Sequence, residues 1–361
     1  MFAELQYRID LFDYLGAKLR DFIAETDEAD GNEYHGEWNI ALDNAIKKAE
    51  VENPWFTREF QLVNLRAWSE LLKVSKLSEW LQNYPEFNHL NSPSKKVGLI
   101  LAGNIPLVGF HDILCVLLSG HRVVTKLSKK DRSVYPVLRN ILAEADRSCF
   151  DRWILLEDEP LKDIDAIIAT GSDNSARYFD YYFGKYPHII RKNRNSVAIL
   201  SGEESKDEKL GLADDIFLYF GLGCRNVSKL FVPEGFLPVD LYENLGKYAD
   251  LIHHNKYANN YDYQRAILLV NKIPFFDNGF LILKNDVAFA SPVGTLYYEY
   301  YDSPESLKQK LIANQDRIQT VVGPASLTET NVIFGKSQFP ELDEYADNID
   351  SLNFLLNLYQ K

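Results

Sequence analysis

Residues 95–127 read KKVGLILAGNIPLVGFHDILCVLLSGHRVVTKL. Two short apolar runs, 95–103 and 121–127, have the length of buried strands, and the apolar run between them, 105–120, has the length of a helix. A strand, a helix and a second strand in this order form one unit of a parallel sheet. Ligands bind such sheets at the carboxyl ends of the strands, so the residues that follow each strand are candidates for a site.

The same alternation continues along the chain. We predict further strands at 152–158 and 165–170, with helices at 129–146 and 172–186. These elements extend the parallel, doubly wound sheet. The sequence therefore predicts an α/β fold with a Rossmann-like first domain.

A second α/β unit follows the first. The polar and charged loop GEESKDEK, at 202–209, marks the boundary between the two. The last stretch is acidic and amphipathic, and it is either a docking helix or part of an oligomer contact. The predicted segments are 1–200, which begins with a mostly helical stretch, then 201–335, and finally the tail 336–361.

The acidic composition narrows the classes of ligand. The 361-residue chain carries a formal net charge of −13, so affinity for the polyphosphate backbone of nucleic acids is not expected. Local basic clusters are therefore candidate sites for small anionic ligands.

The chain shows no apolar stretch that could span a membrane and no signal-peptide cleavage site. Its three cysteines, without paired spacing, argue against a disulfide framework or a zinc site and fit a cytoplasmic location.

A cysteine stands in a glycine-rich turn between two apolar runs. Residues 216–233 read IFLYFGLGCRNVSKLFVP, so Gly221 and Gly223 leave little side-chain bulk around the thiol of Cys224. A backbone without Cβ lets a substrate approach closely, and amide N–H groups in such a turn can face a developing oxyanion. Cys224 is a candidate nucleophile, although an isolated cysteine is more often a small buried apolar residue.

Polar neighbours of this turn have two interpretations each. Arg225 and Asn226 either contact the carbonyl of a bound thioester or cap the turn. His253 and His254 lie in a polar, aromatic segment, where a surface loop is favoured over a proton-transfer role.

Asn104 follows the first predicted strand. It stands between a strand end and a predicted helix start, where a side-chain amide can donate to a carbonyl oxygen and the helix dipole favours negative charge. The alternative is an ordinary helix N-cap, a position that favours asparagine.

Two further strand ends carry groups that suit a phosphate-bearing cofactor. Lys126 ends a strand, and Ser128 and Lys129 follow it in a basic cluster that could anchor ribose and phosphates or could be a solvated turn. Gly171 and Ser172 close a later strand and open a helix, so their backbone N–H groups can approach a pyrophosphate.

The four motifs, in this order, resemble those of the aldehyde dehydrogenase superfamily, and the resemblance covers roughly residues 95–325. It implies an aldehyde dehydrogenase-like fold, with an NAD(P)-binding domain in 1–200 and a catalytic domain in 201–335. The matching residues are Asn104 for the oxyanion-binding asparagine of WNFP, Lys126 for the ribose-binding lysine of VVKPSE, Gly171-Ser172 for the TGS cofactor turn, and Cys224 for the nucleophile of GQxC.

Three positions depart from the superfamily pattern. Arg191 stands where the glutamate of ELGGK activates water to hydrolyse the thioester, and Ala288 replaces the glutamate that holds the nicotinamide ribose. Without the water-activating base, an acyl group on Cys224 should survive long enough for reduction or transfer. Lys129 replaces an acidic residue that would repel a 2′-phosphate, which favours NADPH, with NADH as the alternative.

These departures, with FGLGCRNVSKLFVP and IPLVGFHD, resemble the LuxC-type acyl-CoA reductases. The resemblance implies NADPH-dependent reduction of an acyl thioester to an aldehyde through S-acyl-Cys224. The implied partners are acyl-CoA or another activated acyl donor, and a second copy of the chain. The chain is shorter than typical members. The alternatives are an acyl-phosphate reductase of the glutamyl-phosphate type, a cysteine-dependent acyltransferase, and a non-catalytic member.

Overall fold

A computed structural model describes residues 4–28, 34–89, 93–171, 173–324, 327 and 332–359. It divides the chain into two compact units. Unit 1 comprises Met1–Lys192 and Glu341–Lys361, and unit 2 comprises Asn193–Pro340.

The elements are numbered in chain order. The strands are β1 (Lys96–Ile100), β2 (Arg122–Lys126), β3 (Trp153–Leu156), β4 (Ala166–Thr170), β5 (His188–Arg191), β6 (Asn195–Ile199), β7 (Val227–Pro233), β8 (Phe276–Asp277), β9 (Ile282–Asn285), β10 (Thr295–Tyr301) and β11 (Ile318–Val322). The helices are α1 (Leu5–Glu28), α2 (Glu37–Glu52), α3 (Arg58–Leu71), α4 (Val74–Leu81), α5 (Phe110–Leu118), α6 (Tyr135–Ala145), α7 (Cys149–Arg152), α8 (Asp173–Phe183), α9 (Lys206–Phe217), α10 (Tyr242–Leu245), α11 (Asn255–Val270), α12 (Pro304–Ala313) and α13 (Ser351–Asn357). Shorter 3-10 turns lie at Pro85–His89, Leu218–Gly221, Pro238–Leu241, Gly246–His253 and Ala346–Asn348.

Unit 1 contains a parallel sheet in the order β3-β2-β1-β4-β5. The strand β1 pairs with both β2 and β4, so the chain order reverses on its two sides. Such a reversal leaves a crevice at the carboxyl ends of the two strands that flank it, which is where doubly wound sheets bind ligands. The predicted Rossmann-like sheet is confirmed.

The helix α5 covers this sheet because its sequence, FHDILCVLL, is apolar nearly all round. Eight of its nine residues are buried. A helix with no polar face must be covered on all sides. The helices α1 and α13 both pack on it within unit 1.

Unit 2 contains a second sheet in the order β11-β6-β7-β10-β9-β8, parallel except at the edge pair β8 and β9. Because β6 pairs with β7 and β11, the compact unit begins before residue 200, at Asn193. At the other end, residues from Glu341 onward pack within unit 1 rather than forming a separate segment.

Arg191 ends β5 and is buried in an ion pair with Asp112 of α5. Its guanidinium donates to both carboxylate oxygens, at 2.5 and 3.0 Å, and to the hydroxyl of Ser351 in α13 at 2.6 Å. Burial alone would raise the pKa of Asp112, but the Arg191 guanidinium holds it below its usual value. This cluster joins the sheet, the helix that covers it and the C-terminal helix.

Replacement of Arg191 by alanine should lower the free energy of unfolding by about 3–5 kcal/mol, because it leaves the carboxylate of Asp112 buried without a counter-charge. Urea unfolding followed by circular dichroism measures the change. The matched control is Arg66→Ala, which breaks a bidentate pair with Asp27 that is about half exposed. Solvent screens that pair, so its loss should have a much smaller effect. Equal losses in the free energy of unfolding would contradict the conclusion that Arg191 neutralises the buried charge of Asp112.

Candidate active site

The turn before Cys224 has an unusual backbone. The helix α9 ends at Phe217, and Tyr219, Phe220 and Gly221 then follow with φ angles of 55°, 58° and 74°. Left-handed backbone is open to glycine but costs about 1–3 kcal/mol at other residues, so the surroundings must hold Tyr219 and Phe220 in place. Both aromatic rings are buried, and the ring of Phe220 packs on that of His254 with centroids 4.5 Å apart.

Asn226 fastens this turn to the end of α9. Its side-chain NH₂ lies within hydrogen-bonding distance of the carbonyl oxygens of Asp215, Ile216 and Leu218, at 3.1, 3.3 and 2.9 Å. Its side-chain oxygen accepts the N–H of Gly223 at 2.7 Å, and the side chain is 2% exposed. Carbonyls at a helix C-terminus lack partners within the helix, and here one amide supplies a donor. Of the two interpretations of Asn226, the structure supports the cap.

Cys224 differs from the other two cysteines in its exposure. It is partly exposed, whereas Cys115 and Cys149 are buried. Burial raises the pKa of the Cys149 thiol to about 12 and that of Cys115 well above its usual value. Because the thiolate is the nucleophile, buried apolar surroundings make a thiol inert. Among the three thiols, the accessible one is the one in the glycine-rich turn.

The turn is anchored to two other strands of unit 2. The hydroxyl of Ser196 in β6 donates to the carbonyl oxygen of Cys224 at 3.0 Å. The guanidinium of Arg225 lies 3.4 Å from the hydroxyl of Thr320 in β11. Cys224 precedes β7 and therefore lies at the amino ends of these parallel strands.

The two histidines have different surroundings. The ring of His254 accepts the N–H of Tyr257 at 3.4 Å, caps α11 and packs on Phe220. His253 is exposed and lies 4.0 Å from Asp250. His254 therefore supports the turn before Cys224, a packing role that the sequence analysis did not predict.

Asn104 lies in unit 1, after the carboxyl end of β1, and its side chain is exposed. The prediction that it stands at a helix start is wrong, because α5 begins only at Phe110 and its N-cap is Gly109. The intervening residues form a turn in which Leu107 has a φ of 53°. The N-cap interpretation of Asn104 is therefore excluded.

The basic cluster follows β2, the neighbour of β1. Lys126 is the last residue of β2, and its ammonium lies 3.4 Å from the carbonyl oxygen of Glu159. Lys129 is 81% exposed and lies 3.5 Å from Asp158, which is equally open. An ion pair with this exposure is weak, so the Lys129 ammonium can exchange its partner for another anion.

Gly171 follows β4, on the other side of β1. A Cβ at Gly171 would lie 2.9 Å from atoms of both Phe179 and Ser175, so a larger residue would push α8 away from the strand end. Ser172 lies outside the described residues. The Asn104 segment thus follows β1, and the two predicted cofactor segments follow β2 and β4, the strands on either side of β1 in the sheet.

In the described part of the chain, the histidine, cysteine and carboxylate side chains form no group of three or more that could hold a metal ion. None of its helices combines the length and the apolar character needed to cross a membrane.

A known protein family matches the part of the chain that contains the predicted site residues. Residues 41–247 match the family described as acyl-CoA reductase (LuxC), which is 207 of the 361 residues. The chain belongs to this family. The matched range includes Asn104, Lys126, Ser128, Lys129, Gly171, Ser172 and Cys224, and the predicted resemblance is confirmed.

Two curated relatives are similar to part of the chain. The chain is 24% identical over 284 residues to the long-chain acyl-protein thioester reductase of Aliivibrio fischeri, a match that covers 70% of the chain and 58% of the relative. It is 23% identical over 197 residues to long-chain acyl-protein thioester reductase 2 of Photobacterium leiognathi, covering 50% and 41%. The matches thus span about half the length of these relatives.

Solved structures of aldehyde dehydrogenases share the fold. Aldehyde dehydrogenase 21 from Physcomitrella patens aligns with a TM-score of 0.62 at 11% identity, over 99% of this chain and 89% of that one. Aldehyde dehydrogenase C from Pseudomonas syringae, solved with NAD+ and octanal, aligns with a TM-score of 0.59 at 12% identity, over 90% and 76%. The fold is aldehyde dehydrogenase-like, as predicted.

Substitution of Asn226 by aspartate should destabilise unit 2. In the wild type the side-chain NH₂ faces carbonyl oxygens, and in the variant a carboxylate oxygen would face them instead. We expect a loss of roughly 1–3 kcal/mol in the free energy of unfolding, with a slower alkylation of Cys224 in the folded protein. Urea unfolding and intact-mass alkylation kinetics measure the two effects. Asn271→Ala is the control, since Asn271 is exposed and donates to a single helix carbonyl, that of Ile267. If Asn226→Asp is as stable as the wild type, the cap is not important.

Proposed function

We propose that this protein reduces an acyl thioester to an aldehyde, with NADPH as reductant and Cys224 as the residue that carries the acyl group. The observation that carries the proposal is the partly exposed thiol of Cys224 in a turn fixed on both sides, within a member of the LuxC family. A thiol in this setting is suited to covalent catalysis, in which one difficult step is divided into two.

The first step is acylation. The Cys224 thiolate attacks the carbonyl carbon of the thioester, and the electron pair of the C=O bond moves to oxygen. The backbone N–H of Cys224 and the side-chain amide of Asn104 are the proposed donors to this oxyanion. Collapse of the intermediate expels the donor thiolate and leaves S-acyl-Cys224.

The second step is reduction. When bound, NADPH supplies a hydride to the acyl carbon. The electron pair of the C–S bond returns to Cys224, and the aldehyde leaves. The side chains of Lys126, Ser128 and Lys129 and the backbone of Gly171-Ser172 are the proposed holders of the cofactor. The reversal of strand order at β1 and β4, the close packing of α8 on the strand end that Gly171 allows, and the exposed ammonium of Lys129 fit a phosphate-bearing ligand.

The environment of Arg191 supports reduction over hydrolysis. A guanidinium stays protonated, and this one is 4% exposed and engaged with Asp112 and Ser351, so it cannot activate water. The thioester on Cys224 then persists until hydride arrives.

The donor that delivers the acyl group is a thioester in this proposal. The two curated relatives are named as reductases of long-chain acyl-protein thioesters. Acyl-CoA and acyl-protein present the same carbonyl to a thiolate, so both belong to the proposed substrate class.

Incubation with acyl-CoA of suitable length, without NADPH, should add one acyl mass to the wild-type protein and none to Cys224→Ala. Intact-mass spectrometry measures the adduct. Cys149→Ala is the matched control, since it removes a buried thiol and should leave the adduct unchanged. The same acyl-CoA should support NADPH oxidation and aldehyde formation by the wild type only.

Three results would contradict this proposal. An adduct without any NADPH oxidation would indicate an acyltransferase. Oxidation with acyl phosphate but not acyl-CoA would indicate an acyl-phosphate reductase. A Cys224 that accepts no acyl group from either donor would indicate a non-catalytic member.

A further inference from the structure

Two neighbouring turns of unit 1 contact each other closely. The β1 turn (residues 101–109) follows β1 and contains Asn104, and the β2 turn (residues 127–134) follows β2 and contains Ser128 and Lys129. A Cβ on Gly103 would overlap the Ser128 hydroxyl and lie 2.7 Å from the Ser128 Cβ. Because Gly103 has no Cβ, the backbone of the β1 turn can pack directly against the side chain of Ser128 in the β2 turn.

A buried carboxylate from the β2 turn holds the β1 turn. Oδ2 of Asp131 accepts the N–H of Leu107 at 2.9 Å, and Asp131 is 3% exposed. Leu107 is the residue of this turn with left-handed backbone, a conformation that needs support at a leucine. The hydroxyl of Tyr135, which hydrogen-bonds Asp131, accepts the N–H of Gly109 at 3.3 Å. Asp131 and Tyr135 thus satisfy two buried N–H groups on the path from Asn104 to α5.

Asp131 is also part of the framework of its own turn. Its N–H donates to the carbonyl oxygen of Ser128 at 3.0 Å, and the two residues form an isolated antiparallel bridge. The N–H of Lys130 lies 3.3 Å from the Ser128 hydroxyl, and the side-chain amide of Asn53 donates to the carbonyl oxygen of Lys130 at 3.2 Å. A change at Asp131 therefore reaches both turns at once.

The hydrogen-bonding role of Asp131 does not depend on its charge. Burial raises the pKa of Asp131 to about 8, and burial also raises that of Tyr135 well above its usual value. A neutral carboxyl still accepts the N–H of Leu107 through one oxygen. Asparagine has an acceptor of the same reach, which makes it the conservative replacement.

We propose that Asp131 is a positioning residue shared by the two turns, so that it sets both the Asn104 turn and the cofactor-binding turn. This inference rests on the proposed function, in which Asn104 serves acylation and the β2 turn holds NADPH. It adds a residue that touches neither the acyl group nor the cofactor.

The test compares single substitutions in two assays of the full-length protein. One assay is the rate of acyl-adduct formation on Cys224 from acyl-CoA without NADPH, and the other is the Kd for NADPH from fluorescence titration. Asp131→Ala should slow adduct formation and raise the Kd, each at least tenfold, whereas Asp131→Asn should stay within about threefold of the wild type in both. Asn104→Ala should affect adduct formation alone, and Lys129→Ala the Kd alone.

A matched control separates positioning from loss of stability. Asp43 is a buried carboxylate of α2, paired with Arg58 and Lys47 in the same unit. Asp43→Ala should destabilise the protein while leaving both assays near wild type. If Asp131→Ala does not fold, Tyr135→Phe replaces it, since this removes the partner of Gly109 and should slow adduct formation.

Several outcomes would overturn the inference. It fails if folded Asp131→Ala matches Asp43→Ala in both assays, if only one assay changes, or if Asp131→Asn is as impaired as Asp131→Ala. If the wild type forms no adduct, the proposed function fails separately. The Kd for NADPH, with hydrogen exchange at Leu107 and Gly109, then still decides whether Asp131 holds the turns.

Discussion

Buried backbone groups must find hydrogen-bond partners, and this requirement shapes both predicted functional regions. In unit 2, the chain turns through Tyr219 and Phe220 at the end of α9, and the side-chain NH₂ of Asn226 lies within hydrogen-bonding distance of three carbonyl oxygens there. In unit 1, the N–H of Leu107 would lack an acceptor, and Asp131 supplies it. Each turn combines left-handed backbone at a residue other than glycine with one buried polar side chain from later in the chain.

In both turns, one set of residues is accessible to a ligand and a different set fixes the backbone. Residues proposed to face a ligand have to be accessible, and Cys224 and Lys129 are at least partly exposed. The residues that fix the backbone have to be buried, because a hydrogen bond shielded from water is stronger and its loss is costly. The proposed roles of Asn226 and Asp131 follow from that separation. The resemblance to the superfamily implies that Arg191 replaces a water-activating glutamate, and the Arg191 side chain is buried in an ion pair with Asp112.

The sequence was sufficient for the fold class and the family. Apolar runs of strand and helix length predicted the parallel sheet of unit 1, and the ordered motifs predicted the LuxC family. The beginning of α5 was missed, because the apolar run from residue 105 continues through a turn in which the N–H of Leu107 donates to Asp131, a residue far along the chain. Asn226 could be found only as one of two alternatives, since its partners lie on a different element.

The proposed role of Cys224 is to hold an acyl group for reduction rather than hydrolysis. The most direct test is to isolate the acylated protein, remove free acyl-CoA, and follow the acyl group in a single turnover with and without NADPH. We expect the adduct to persist in buffer and to be converted to one equivalent of aldehyde when NADPH is added. Release of free acid at the same rate in both samples, with no aldehyde, would contradict it.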